Sequence, residues 1–370
     1  NARNRIQGVM RYVEPDDADI ERSCSSTQED IDGNLFDSTA IEANDILAAG
    51  SLAYLTPINE NWFGMSAPEG FQDDDGIKWY KTCGEIIRQK LSVSNFYLVT
   101  HEVLRHRGSA GIGAVFCKMR DNGELWFKNF RPGTYCVSEN NYGEVDTFAK
   151  RMQLTHHQAR QQFGEDNLAP QVKELLKQEN GKRGDEKHWY VHLIFQRPDA
   201  WRGRDKDGDF LAEGSSKAYA DIYIDDDAKH MCWNGGFEEM PVFVTRWEPA
   251  SNDAYGRSPA MKALPTIKSL NFDCAMLDAV AELSVYPPMS VPTNAPVPNM
   301  TARAVNRYDE NRPDAKTEPL YEPTQYNLGL ELVNLKREQV RSMFYTDKFS
   351  AFSDSTKRMQ TFEAMQLADE

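Results

Sequence analysis

Several stretches of this sequence have residue types that bind metals or do chemistry, and their spacing decides against each. His101-Glu102-Val103-Leu104-Arg105-His106 approaches the zinc-protease pattern HExxH. That pattern needs histidines four residues apart, one turn along a single helix face. Here the second histidine comes one residue late, which rotates it by about 100° on a 3.6-residue helix, so no metal catalysis is expected. Asp205-Lys206-Asp207-Gly208-Asp209 opens like a calcium loop. The glycine and glutamate required further along that loop are replaced by Phe210 and Ser216, so a polar hairpin tip is the better reading. Gly108, Gly111 and Gly113 are not followed by the GK[ST] of a phosphate-binding loop, and no GxSxG elbow occurs. His156-His157 fall in the first turn of a helix and read as surface residues. No catalytic residue, metal ligand or cofactor is expected, and the chain does not read as an enzyme.

One charge pattern remains. Arg337, Arg341, Phe344 and Lys348 follow at spacings of 4, 3 and 4 and share a helix face. With Lys357 and Arg358 they belong to a segment, 331–358, that is locally basic in a chain of net charge −15. Two readings stay open: a solvated face laced with local ion pairs, or a basic band near phosphates.

The elements that position this band are legible from capping and periodicity. Ser258 followed by Pro259 is a strong helix start, and Gly256 before it supplies a turn. Apolar residues then run to Val285, and Tyr286-Pro287-Pro288 stops the helix. Pro265 inside it predicts a kink or a restart. Ile267, Leu270, Cys274, Leu277 and Ala281 form one stripe, and Phe272, Met276, Ala279, Val280 and Leu283 fill other faces. A helix apolar nearly all round is buried on several sides. It is either a central core helix or a helix packed between copies of itself in a ring. Lys268, Asp273, Asp278 and Glu282 argue against a membrane span. Eight of the 18 prolines fall between 286 and 330, which forbids a long helix and points to a small projecting loop-and-strand module. Leu330–Phe349 is the returning helix, and a further helix is expected from Lys357.

Upstream, helices are predicted over 6–12, 37–55, 77–93, 96–107, 155–163 and 172–178. In the third of these Tyr80, Cys83, Ile87 and Leu91 point inward. Strands are predicted at Trp62–Met65, Ala114–Cys117, Leu125–Phe127, Tyr135–Val137, Val145–Phe148, Trp189–Gln196, Ala218–Ile224 and Pro241–Trp247. Asn122-Gly123 is the strongest hairpin turn. Thr155 with Gln158 makes a capping box. These elements give an α+β body over 35–250.

At 370 residues the chain can bury a large core in two or three domains. Its acidic balance excludes a surface that grips nucleic acid all over. Acidic clusters at 16–17, 73–75 and 225–227 read as solvated loops. The six cysteines (24, 83, 117, 136, 232 and 274) form no CxxC pair, and Cys117, Cys136 and Cys274 read as small core residues in a reducing compartment. There is neither a signal peptide pattern nor an uninterrupted apolar run long enough to span a bilayer. Asn1 at the start and a helical pattern cut at Glu370 suit a piece of a longer protein.

Four stretches resemble the portal, or head-to-tail connector, family of short-tailed phages. They are Trp79–Gly113, with Ser94-Asn95-Phe96-Tyr97 and His101-Glu102; Phe130–Gly164, with Gly143-Glu144-Val145-Asp146-Thr147, Leu154-Thr155 and Phe163-Gly164; Tyr255-Gly256-Arg257-Ser258-Pro259-Ala260-Met261 with Ala263-Leu264-Pro265; and Tyr286-Pro287-Pro288 to Pro292. Lys357–Ala364 matches the family's continuation loosely. The resemblance implies an α+β fold with 1–34 as an N-terminal segment, a wing domain of helices and antiparallel strands over 35–250, stem helices at 251–285 and 331–350, a small α/β clip at 286–330, and a tunnel loop with the start of the next helix at 351–370. It implies a homododecamer around double-stranded DNA at the portal vertex of the virion, assembled in the host cytoplasm, with no membrane. Partners would be the terminase, head–tail adaptors, and capsid and scaffolding proteins. In that frame Arg337, Arg341, Lys348, Lys357 and Arg358 face the DNA channel, and the stripe from Ile267 to Ala281 is a subunit interface. The alternatives are another oligomeric virion component, such as a tail adaptor or baseplate protein, and an enzyme acting on nucleic acid, which the failed motifs disfavour.

Overall fold

A computed structural model describes residues 2–18, 35–68, 70, 73–120, 122–177, 185–198, 216–250, 253–291, 293, 297–301, 304–307, 318–320 and 326–353. Helices α1 (Ala2–Val13), α2 (Thr39–Leu55), α3 (Asp74–Val93) and α4 (Phe96–Ala110) come first. Strands β1 (Ile112–Met119), β2 (Leu125–Phe130), β3 (Tyr135–Glu139) and β4 (Val145–Thr155) follow, then α5 (His156–Phe163), α6 (Pro170–Lys177), β5 (Lys187–Gln196), β6 (Tyr219–Asp225), β7 (Met231–Phe237) and β8 (Val242–Arg246). The described chain ends with β9 (Glu248–Ala250), β10 (Asp253–Arg257), α7 (Pro259–Val285), β11 (Met289–Ser290), β12 (Glu318–Pro319), α8 (Tyr326–Met343) and α9 (Thr346–Ser353). The fold is α+β, as expected, and its sheets are antiparallel.

Two sheets form the body. One has the order β2-β1-β8, the other β3-β4-β5-β6-β7. The Asn122-Gly123 turn joins β1 to β2, with Gly123 at φ 78°. Strand β7 was not anticipated, and it pairs with β6 from Tyr219↔Phe237 onward. The short ladder β9–β10 was missed too. Among the described residues of 286–330 the only ladder is the two-residue pairing β11–β12, consistent with a loop-and-strand module.

Two helix starts are set by the side-chain caps that the sequence shows. Thr155 Oγ1 accepts from Gln158 N at 3.2 Å and Gln158 Oε1 accepts from Thr155 N at 2.9 Å, completing the capping box. Ser258 Oγ accepts from Met261 N at 2.9 Å at the start of α7. It also donates to the Ser109 carbonyl at 2.7 Å, at the end of α4. Ser258→Ala removes both bonds at a buried site and should cost about 2 kcal/mol in a denaturant melt. An unchanged midpoint would show that this junction does not depend on the hydroxyl. Helix α7 continues through Pro265 without a restart.

Five local expectations are corrected. Trp62–Met65 is not a strand: Trp62 stacks on Phe96 at 6.1 Å and its Nε1 donates to Tyr97 Oη at 3.4 Å, so helix α4 satisfies it in place of a strand partner. Ile87 is not an inward residue but 39% exposed, because α3 rests on the body mainly through Gly84 and Leu91. Cys136 is exposed, since the alternation of β3 buries its neighbour Tyr135. His156 is buried, its ring 5.8 Å from that of His188. Gly256 makes no turn but lies inside β10. Cys24, the calcium-like run at 205–209, and Lys357 and Arg358 lie outside the described residues.

Candidate functional site

The feature that sets this molecule apart is the pair formed by α7 and α8. They run antiparallel. Lys336, on α8, bonds Ser269 Oγ at 2.7 Å and forms an ion pair with Asp273, both on α7, while Gly329 at the other end of α8 abuts Leu277. A Cβ on Gly329 would fall 2.7 Å from Leu277 Cδ2, so the glycine lets the helices approach closely there. The core between them joins Ile267, Leu270 and Cys274 to Val333, Val340 and Phe344, with Ala40, Ala43 and Leu47 of α2 and Val9 and Val13 of α1.

This placement revises the expected subunit interface. Ile267, Leu270 and Cys274 are buried within their own chain, Leu277 packs on the same core, and Ala281 is half-buried. The outward apolar residues of α7 include a stripe of Phe272, Met276 and Leu283, at 61%, 47% and 38% exposure. Those of α8 include a stripe of Leu328, Leu332 and Leu335, at 53%, 48% and 57%. At about 100° per residue, each exposed stripe lies on the far side of its helix from the buried one. Each helix of the pair therefore presents an apolar stripe directed away from the shared core.

The expected single helix over Leu330–Phe349 is interrupted: α8 ends at Met343, Tyr345 turns at φ 58°, and Lys348 lies on α9, so the basic face resolves into unlike members. Arg337 Nε sits 2.9 Å from Asp37 Oδ2, whose side chain is 5% exposed. Asp37 Oδ1 also accepts from Thr39 N at 2.9 Å, capping α2. Burial alone would push the Asp37 carboxyl up, but the Thr39 donors and the Arg337 guanidinium outweigh it and hold it below its ordinary value. The hydrogen bond to Asp37 raises the Arg337 pKa, and burial pushes the adjacent Cys274 thiol up. Arg337 is thus a staple between α8 and α2. Arg341 pairs with Glu338 of its own helix at 3.2 Å and is 42% exposed; Lys348 is exposed. Phe344 is fully buried. Of the expected channel residues described, Arg341 and Lys348 are the ones available to an outside ligand.

Sequence reading missed a polar hub beneath α4. Glu14, at the end of α1, accepts from Ser109 Oγ at 2.7 Å, and Asp17 lies 3.2 Å from His106 Nε2 and 2.8 Å from Arg131 Nε. Burial raises the Glu14 pKa, while the His106 hydrogen bond leads the effects that lower that of Asp17. The ligand atoms of Glu14, Asp17 and His106 lie within 4.8 Å of one another, close enough to hold a metal ion. Arg105, 3.4 Å from Glu14, and Arg131 already supply positive charge there, so the cluster works as an ion-pair junction of α1, α4 and the turn before β3. The signal for it was the odd histidine of the HExxH-like run.

A fold that leaves an apolar stripe exposed on each helix of one pair has the features of an assembly component. The chain belongs to the bacteriophage head to tail connecting protein family, whose model matches residues 2–370. The probable portal protein of Bordetella phage BPP-1 is 24% identical over 341 residues, covering 89% of this chain and 59% of that protein. The portal protein of Salmonella phage epsilon15 is 26% identical over 265 residues, covering 70% of this chain and 46% of that protein. The chain therefore spans about half the length of the curated relatives it matches. No described helix is long and apolar enough to cross a membrane.

Proposed function

We propose that this chain is the body and stem of a portal: a ring at the capsid vertex through which viral DNA is packaged and ejected, and on which the packaging motor and tail dock. Family membership and the apolar stripes that α7 and α8 each leave exposed support this reading. A cyclic ring needs different, complementary patches on two sides of one subunit. In this reading Phe272, Met276 and Leu283 of α7, with Leu328, Leu332 and Leu335 of α8, are covered by neighbouring copies. In this reading 35–250 is the wing, α7 and α8 the stem, 286–330 the clip, and the segment from 351 onward leads to the tunnel loop. Arg341 and Lys348 face the channel. A few cations on an acidic protein let DNA slide rather than hold it.

Electron microscopy of the purified chain tests the ring. Rings are expected, and Met276→Glu should abolish them while the melting temperature of the subunit stays within a few degrees, since Met276 is half-exposed. A persistent monomer under every assembly condition would remove the proposal. For the channel, Arg341→Glu should lower DNA packaged per particle with rings intact; unchanged packaging would take Arg341 out of the DNA path.

A further inference from the structure

We propose that, within the ring, the hairpin tip carrying Tyr142 in one copy of this chain seats in the cleft between α3 and the β1–β2 hairpin of the next copy. The contact rests on the ring reading and adds a second interface to it, in the body rather than the stem.

The tip is a built projection. Tyr142 is 89% exposed. Asn140 Oδ1 accepts from Tyr142 N at 2.8 Å and from Glu144 N at 3.0 Å, and Gly143 takes φ 78°. Arg246 donates to the Gly143 carbonyl at 2.9 Å and forms an ion pair with Glu139, bracing the tip against β8. The turn backbone is fixed, and a tyrosine side chain has only two torsions to order when it is covered, which suits it to anchor an interface.

The receiving cleft is equally fixed. It has a volume of about 470 Å³, with Ile86 and Val93 of α3 on one wall and Leu125 and Trp126 of β2 on the other. Lys90 Nζ donates to the Gly123 carbonyl at 2.8 Å, and Asn95 bonds both N and O of Phe127, at 2.9 and 2.7 Å, so the walls are tied together. Ile86 and Val93 are 50% and 76% exposed, although they lie on a cleft wall. The rim carries Lys90 and Arg120 against one carboxylate, Glu124, and so complements Glu144 beside Tyr142 on the tip.

Topology makes the contact intermolecular. The tip is anchored to Arg246, which pairs with Ile112 at the start of β1. The cleft lies beside the turn that follows Met119 at the other end of β1. Those ends are roughly 20 Å apart at about 3.3 Å per residue, so a tip cannot reach its own cleft. A projection from the β3–β4 turn of one sheet, braced on β8, and a socket at the far end of the β2-β1-β8 sheet are the arrangement of a head-to-tail contact, which closes into a ring when its rotation fits.

The test is disulfide trapping in the full chain with Tyr142→Cys and Val93→Cys together, assembled, oxidised and run on a non-reducing gel. A covalent ladder beyond the dimer is expected, absent from either single variant. In parallel, Glu144→Arg should raise the concentration needed for ring assembly about tenfold, and Arg120→Glu in the same chain should restore it. Rings seen by electron microscopy without a ladder would overturn the contact and leave the portal reading standing. A ladder that stops at the dimer would overturn it in favour of a two-fold contact. Failure of the unsubstituted chain to form rings would remove the portal reading and the contact with it.

Discussion

Gly256→Ala is expected to destabilise the subunit by about 3 kcal/mol or more, or to leave it insoluble. The reason is close approach of two backbones. A Cβ on Gly256 would fall on the Gly111 carbonyl oxygen and 3.0 Å from Trp247 N. Reciprocally, a Cβ on Gly111 would fall 2.5 Å from the Gly256 carbonyl oxygen, and Gly111 also has φ 78° as the C-cap of α4. Backbone atoms cannot step aside as a side-chain tip does. Trp247 N donates to Gly111 O at 3.1 Å in the same place, so relief by shifting one strand would break that bond. The interlock sits where β10 delivers the chain to Ser258 and α7. Gly8→Ala is the control: Gly8 lies inside α1 with nothing within 4 Å of its would-be Cβ, and alanine there should stabilise by about 0.5–1 kcal/mol. Urea melts of the two variants check both signs. Equal midpoints for Gly256→Ala and the parent would refute the interlock.

Arg337→Ala should cost about 2–3 kcal/mol at neutral pH, because it strands the buried carboxylate of Asp37 without its charge partner. Arg337→Glu should cost more, placing like charges together. The pH dependence distinguishes this from lost packing. Asp37 has its pKa lowered in the folded state, so the stability it contributes is present above the ordinary carboxylate range. That stability is lost as pH falls through the depressed folded value. The difference between Arg337→Ala and the parent should therefore be full at neutral pH and shrink in acid as Asp37 takes up a proton. A double-mutant cycle with Asp37→Asn measures the coupling directly. A difference that is constant from neutral to acid pH would mean that Arg337 acts through its aliphatic stem. Loss of DNA packaging in an Arg337 variant would reflect this staple before any contact with DNA, whereas Arg341 carries no such burden.

Sequence by itself determined the local decisions. Ser258-Pro259, the Thr155–Gln158 box, the Asn122-Gly123 turn and the prolines after Val285 each specify a boundary through bonds made within a few residues. Their elements stand where capping and periodicity put them. The stretch from Tyr255 to Met261 also carried the family resemblance, and it holds both the close backbone approach at Gly256 and the Ser258 cap.

Only the tertiary structure decided which apolar face of α7 is spent inside the chain. Ile267, Leu270 and Cys274 are no more apolar as a set than Phe272, Met276 and Leu283. The choice belongs to α8 and α2, which pack on the first set from more than 50 residues after it and more than 200 before it. The same holds for Arg337. Spacing places it on a face with Arg341, but a carboxylate 300 positions earlier makes it a staple. Periodicity records how a helix is sided; it does not record what stands on each side.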